Sequence, residues 1–253
     1  MIFEPPLLIL TQFPGKFDLM RLPWSQEAKA RILFNSAKFE DLELAEVVID
    51  GMTFFLSSLA PSEITQRFAT ERFERLCCSP PSPDDSAIGI GTRDNVSSAK
   101  HLPEVNHRLL LLGKWIGESL AATAAAWLPS RKLIGFAYFD EVAGQYLAGG
   151  PFPGLFQTSF SEDRNGCYTT TGLRYFSGQE VRLRAPPEYS AADTTERLVR
   201  IIDDLAINGK IRNPARFRGK VSGETLIFQP SDDLSHVDVI IENSAKDTVP
   251  TMM

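Results

Sequence analysis

Cysteine is scarce in this chain, and the three residues present are badly placed for cross-linking: Cys77 and Cys78 are adjacent and Cys167 stands alone. That arrangement excludes a disulfide framework and lacks the paired spacing of a structural zinc site. Histidine is equally rare, with His101, His107 and His236 the full set. His101 and His107, six positions apart, lie about 240° from each other round a helix and could not chelate one ion together. Positive charge is also in deficit, 26 Lys and Arg against 32 Asp and Glu, for a net charge of −6. Nucleic-acid binding needs a basic surface that displaces counterions from phosphate, so nucleic acid is not an expected partner. Long apolar runs are missing too. The N-terminus carries Glu4 and only the short run from Leu7 to Leu10, unlike a signal peptide. The most apolar region further on is interrupted by Lys114 and Glu118, short of the ~20 residues of a membrane span. The expectation is a cytoplasmic protein with no membrane partner.

What is present is an ordinary globular composition, 43% apolar and 23% charged, in 253 residues, long enough to bury a core without metal or disulfide support. From Leu102 to Leu128, Val105, Leu109, Leu112, Ile116, Leu120, Ala124 and Trp127 recur at spacings of three and four, which predicts one long helix between Pro103 and Pro129. Its alanine-rich second half, Ala121 to Ala126, would let strands approach closely. Leu7 to Thr11 and Phe17 to Leu22 around Pro14-Gly15 predict an N-terminal hairpin. Ser25 caps a short helix through about Phe34. Ala45 to Ile49 and Met52 to Leu59 around Asp50-Gly51 predict a second hairpin. A helix opens at Pro61, a strand spans Ala87 to Gly91, and Leu133 to Phe139 reads as a buried strand. Further strands are expected over Tyr168 to Gly172, Tyr175 to Leu183, Glu224 to Gln229 and Val237 to Glu242. Ser190 and Asp193 open a helix that Asn208-Gly209 closes. The pattern is α+β: a single domain over residues 1–243, a mostly antiparallel sheet on a long central helix with two or three further helices, and a flexible tail over 244–253.

No stretch carries a complete catalytic signature. Glu104 and His107 have the spacing of a di-iron helix but lack the second copy such a site needs. Gly117 to Ala121 resembles a nucleophile elbow around Ser119, yet it lies inside a predicted helix rather than on a strand-to-helix turn. Gly89 and Gly91 lack the third glycine of a dinucleotide fingerprint, and Asp94 in its place would repel a pyrophosphate. Lys210, Arg212, Arg216, Arg218 and Lys220, interleaved with Phe217, could grip an anion; the plainer reading is a solvated strand face balanced by Asp203, Asp204, Asp232 and Asp233. No catalytic, metal or cofactor residue is assigned.

The order of signals from about residue 47 to 242 resembles a bacterial family of unknown function catalogued as DUF4261. Carrying it are VVIDGMTFFLSSLAPSE, AIGIG before a long helix, KLIGFAYFDEVAGQYL, YTTTGLRYFSGQEVRL and a helix ending in NGKI. The most specific match is Thr170, Gly172, Leu173, Phe176, Gly178 and Glu180. The chain departs at Asn213-Pro214, where that family is expected to have an Asp-Gly turn. The resemblance implies an α+β domain of the bacterial cytoplasm, and more weakly an immunity or accessory protein of a toxin or secretion system.

The functional expectation is a non-enzymatic protein that binds another bacterial protein, such as a basic toxin or effector, with self-association possible; the alternative is a hydrolase-like enzyme with an unrecognised site. Complementary charge speeds capture. The expected contacts are the loop acids Asp84, Asp85, Asp140, Glu141, Glu162 and Asp163, with Phe152, Phe156 or Phe160 as an aromatic anchor.

Overall fold

The structure, a computed structural model, describes residues 4–39, 42–92, 99 and 102–243. The expected tail and His101 lie outside the described residues. The class is α+β, with mostly antiparallel sheets in which Glu74–Leu76 pairs parallel with Lys132–Gly135 and Glu180–Arg184 with His236–Asn243. Where the sequence suggested one domain over 1–243, the contacts divide the chain into two compact units, Met1–Ser159 and Phe160–Met253.

The first unit is organised on strand β1 (Leu7–Gln12). Its residues Leu7 to Leu10 are all buried, because the strand is covered on both faces. Leu8 and Leu10 pack with Ile64 from helix α2 (Pro61–Thr70), whereas Leu7 and Ile9 approach Gly113 of helix α3 (Pro103–Ser119). The strand order is β2 (Ile32–Phe39), β3 (Leu42–Ile49), β4 (Met52–Leu59), β6 (Asp85–Thr92), β1, β7 (Ala124–Trp127), β8 (Lys132–Gly135) and β5 (Glu74–Leu76). The Asp50-Gly51 hairpin forms as expected: Ile49 pairs with Met52, and φ is 49° and 78° at the two turn residues, as a tight strand-matched turn requires. The N-terminal hairpin does not form. Residues 17–22 hold only a 3-10 turn at Leu19–Arg21, and β1 pairs instead with the sequence-distant β6 and β7.

The long helix stops early. It ends at Ser119, Ala121 turns to a φ of 50°, and Ala124–Trp127 becomes a buried strand between β1 and β8. Helix propensity contributes at most ~0.7 kcal/mol per ordinary residue, less than the ladder and burial that a second partner for β1 supplies. The close approach expected of the alanines is made by glycine: a Cβ on Gly117 would lie 1.9 Å from the ring of Phe136 on helix α4 (Phe136–Leu147). Leu109, Leu112, Ile116 and Trp127 are buried as expected, but Leu120 is half-exposed. The strand expected over Leu133 to Phe139 likewise ends at Gly135, where α4 begins. Among the described residues no helix is long and apolar enough to cross a membrane.

The second unit holds a six-stranded sheet in the order β12 (Ala215–Arg218), β13 (Glu224–Pro230), β14 (His236–Asn243), β11 (Glu180–Arg184), β10 (Cys167–Thr171) and β9 (Ser159–Glu162). Short helix α5 (Gly154–Gln157) belongs to the first unit; in the second, helix α6 (Arg174–Ser177) precedes helix α7 (Ala191–Asn208). Ser190 Oγ accepts from the backbone N–H of Asp193, and Gly209 closes the last turn, as the sequence indicated. Leu198, Ile201, Ile202 and Leu205 are its buried stripe.

Candidate functional site

Helix α7 carries two cations on the flank of its apolar stripe, Arg197 and Arg200, one turn apart. Opposite them lies the β12–β13 hairpin, in which Phe217 pairs with Leu226 and Arg218 with Thr225. Alternation along β13 sends Glu224, Leu226 and Phe228 to one side. Together these elements wall a cleft of about 440 Å³ within the second unit. Ile201, Leu205, Ile211, Phe217, Leu226 and Phe228 form its apolar surface, and Arg200, Lys220 and Asp204 its charged rim, while Arg218, paired with Thr225, alternates to the other face of the sheet. Phe217 stands edge-on to Phe228 at 5.1 Å, although Phe217 remains 49% exposed. Ile211 is held in place by the fully buried Gln179, whose amide donates to its carbonyl at 3.0 Å and accepts from its N–H at 2.9 Å.

One end of the cleft is built on a buried ion pair. Arg197 donates through Nε at 2.9 Å and Nη2 at 2.6 Å to Oε2 of Glu224, whose side chain has no exposed surface. The other oxygen accepts from the backbone N–H of Lys220 at 2.8 Å, and the Tyr189 ring lies 4.4 Å beneath the guanidinium with its hydroxyl 2.9 Å from Oε2. Burial pushes the Glu224 carboxyl up, but Arg197, the Lys220 N–H and Tyr189 outweigh it and hold the group below its ordinary value. The pair is therefore ionised and saturated. Glycine is required at 219, since a Cβ there would lie 2.3 Å from Glu224 Oε1. Lys220 also pairs with Glu196, whereas Arg200 and Arg218 have no salt bridge among the described residues.

The residues singled out from sequence do not gather into one surface. Asp85 is buried and accepts from the Ser82 N–H at 2.7 Å. Asp140 lies on α4, not after a strand, and pairs with Lys114. Glu162 accepts from the Tyr168 hydroxyl at 3.0 Å, and Asp163 accepts from the N–H groups of Asn165 and Cys167, tightening its own turn. Asp84 and Glu141 are exposed. Phe156 is core, edge-on to Trp127 and Phe139, and Phe152 is 9% exposed, so both anchor the fold rather than offer a surface; Phe160 is half-buried. Of the acids expected to balance the basic stretch, Asp204 lines the same cleft as Lys220, whereas Arg216 pairs with Glu242, Lys220 with Glu196, and Asp233 serves its own turn with Ser231 and Ser235.

The segment most specific to the family resemblance is a folding device. Glu180 accepts from Thr170 Oγ1 at 2.7 Å and from the N–H groups of Gly172 and Arg174 at 2.9 and 3.2 Å, while Leu173 and Phe176 enter the core. His107 approaches the Leu147 carbonyl at 3.2 Å and the Arg108 guanidinium at 3.0 Å. Among the described residues no group of three or more His, Cys, Asp or Glu is arranged to hold a metal. Burial raises the thiols of Cys78 and Cys167 above their ordinary values, the opposite of an activated nucleophile.

Compared with known proteins, the chain matches no family model, no curated protein and no solved structure.

Proposed function

We propose that the protein is a non-catalytic binding protein for another bacterial protein, and that the cleft between α7 and the β12–β13 hairpin is where that partner is held. The observation that carries this reading is an open apolar surface with a half-exposed ring, Phe217, rimmed by charged side chains and set beside a carboxylate that is already saturated. Such a combination binds and orients. Among the described residues its lining includes no histidine, cysteine or hydroxyl group. The resemblance over residues 47–242 supports a toxin or secreted effector as the partner class and the cytoplasm as the setting.

The test is affinity capture from the native host with the wild-type chain and with Phe217→Ala, which truncates an exposed ring. One discrete partner should be retained by the wild type and weakened by the variant. Recovery of the protein alone, or a partner indifferent to Phe217, rejects the reading.

A further inference from the structure

We infer that the first unit holds a binding site for a small primary alkylammonium group, its head at the Asp85 carboxylate and its chain along Leu10, Ala124 and Leu133. The site is a cavity of about 240 Å³ whose lining, among the described residues, belongs wholly to the first unit.

Strand register sets its floor. Leu10 pairs with Ala87 on one side and Ala124 on the other, Gln12 pairs with Asp85, and Ala126 links Leu8 to Leu133. Directly paired residues share a face and side chains alternate along each strand, so Leu10, Gln12, Asp85, Ala124 and Leu133 all project to the face that Ile64 of α2 covers. The segment from Cys77 to Ser82 supplies the rest of the lining. It is held against the sheet: Cys78 Sγ donates to the Leu133 carbonyl at 3.4 Å, and a Cβ on Gly135 would lie 2.3 Å from the Cys77 carbonyl oxygen. Pro80 and Pro81 stiffen the same segment, which makes the cavity a preformed site.

The chemistry of the occupant follows from Asp85, which is 5% exposed. Its Oδ2 accepts from the Ser82 N–H at 2.7 Å, whereas its buried Oδ1 has no hydrogen-bond partner among the described residues. A buried acceptor left unpaired forfeits its hydration, so the oxygen marks where a donor is bound. Among the described residues the lining contains no Lys, Arg or His, which leaves an anion nothing to pair with. Thr123 Oγ1 donates to the Leu10 carbonyl at 3.4 Å and keeps its lone pairs as further acceptors. The Asp85 end therefore calls for a cation with N–H groups. A guanidinium binds best with both carboxylate oxygens in its fork, and here Oδ2 is already engaged, so the single free oxygen suits an ammonium. No group of three or more metal-ligating side chains stands among the described residues. Leu10, Ala124, Leu133 and the two prolines give the cation's alkyl chain an apolar wall. The volume equals that of roughly eight waters, which suits a ligand of few heavy atoms.

The experiment titrates n-butylammonium into the isotope-labelled full chain, in potassium chloride at physiological strength, and follows the backbone amide resonances. Saturation in the low millimolar range is expected, with the Ser82 amide, which shares the Asp85 carboxylate, among those that shift. Three analogues should bind at least tenfold more weakly: n-butanol, which lacks the charge, butyltrimethylammonium, which lacks the N–H, and butylguanidinium. Asp85→Asn, which preserves the shape and an oxygen for the Ser82 N–H, should weaken n-butylammonium about tenfold, the scale of one hydrogen bond to a charged group. A lysine with both ends blocked offers the same ammonium on a peptide backbone. Tighter binding of that lysine than of n-butylammonium assigns the group to a protein side chain, and weaker binding assigns it to a free amine. The inference is overturned if n-butylammonium does not saturate, if its shifts spread over the surface instead of gathering at residues 77–86 and 122–124, or if any of the three analogues binds as well. Normal binding by Asp85→Asn with an intact melting curve overturns it too. Should that variant fail to fold, the analogue series on the wild-type chain decides the matter alone.

Discussion

Arg197 and Glu224 show how a residue that looks functional in isolation is spent on structure. Removing one partner from a buried pair strands the other charge, which typically costs about 3–5 kcal/mol. Glu224→Gln should therefore lower the urea midpoint sharply, and Gly219→Ala, whose Cβ would strike the same carboxylate, should do so less. The pH dependence has a defined sign. The folded Glu224 carboxyl titrates below its ordinary value, so its contribution is present above the unfolded value near 4.5 and is lost as pH falls through the lower, folded value. Wild type and Glu224→Gln should converge in stability in strong acid; a constant gap would mean that packing, not charge, is at stake. Asp203 behaves oppositely. Burial, with Asp204 adding to it, raises its carboxyl to about 6, and its buried Oδ1 has no hydrogen-bond partner among the described residues. A raised folded value favours the folded state while the acid is protonated and penalises it as pH rises through 6. Asp203→Asn should accordingly stabilise by roughly 1 kcal/mol at pH 8, allowing for solvent screening, and by little at pH 4. Equal melting curves at pH 8 would refute it.

At the scale of elements, what local chemistry specifies was legible and what distant pairing specifies was not. The Asp50-Gly51 hairpin and the Ser190-capped helix closed by Gly209 depend on neighbours in sequence, and both form. The run Leu7 to Leu10 gave no hint of its partners, because β6 and β7 lie about 80 and 115 residues away. The alanines at 124–126 kept a helical spacing from Ile116 and Leu120, yet a central strand in need of a second neighbour outweighed it. The cleft was half visible. Lys210 to Lys220 stood out as a basic stretch able to hold an anion, but only the fold brings Phe217 and Lys220 of that stretch to the same cleft as Arg200. Arg197 and Arg200, flanking Leu198, Ile201 and Leu205 on a capped helix, were the available signal. Gly117→Ala tests the corrected helix packing: with a Cβ 1.9 Å from the Phe136 ring, it should cost about 1–3 kcal/mol, and Phe136→Leu in the same chain should recover part of that. If the double variant is no more stable than the single one, the α3–α4 contact is not what glycine serves.

For the whole molecule, the division at Ser159 and Phe160 bears directly on where binding resides. The second unit has its own core, with Val181, Leu183, Leu198, Ile201, Ile202, Leu205, Phe228, Val237, Val239 and Ile241 all buried. It also contains every residue of the cleft and of the Arg197–Glu224 network that shapes it. A core of ten such side chains, each worth about 1.5–3 kcal/mol on burial, is of the size that carries independent small domains. A fragment beginning at Ser159, which keeps β9 whole, should therefore unfold cooperatively in urea, give a dispersed amide spectrum and lose that transition when Glu224→Gln is introduced. It should also capture the same partner as the full chain, because among the described residues none of the first unit lines the cleft. A fragment that folds but does not bind would place part of the recognition surface in residues 1–158, whereas one that exposes apolar surface and lacks a cooperative transition would show that the second core is not self-sufficient.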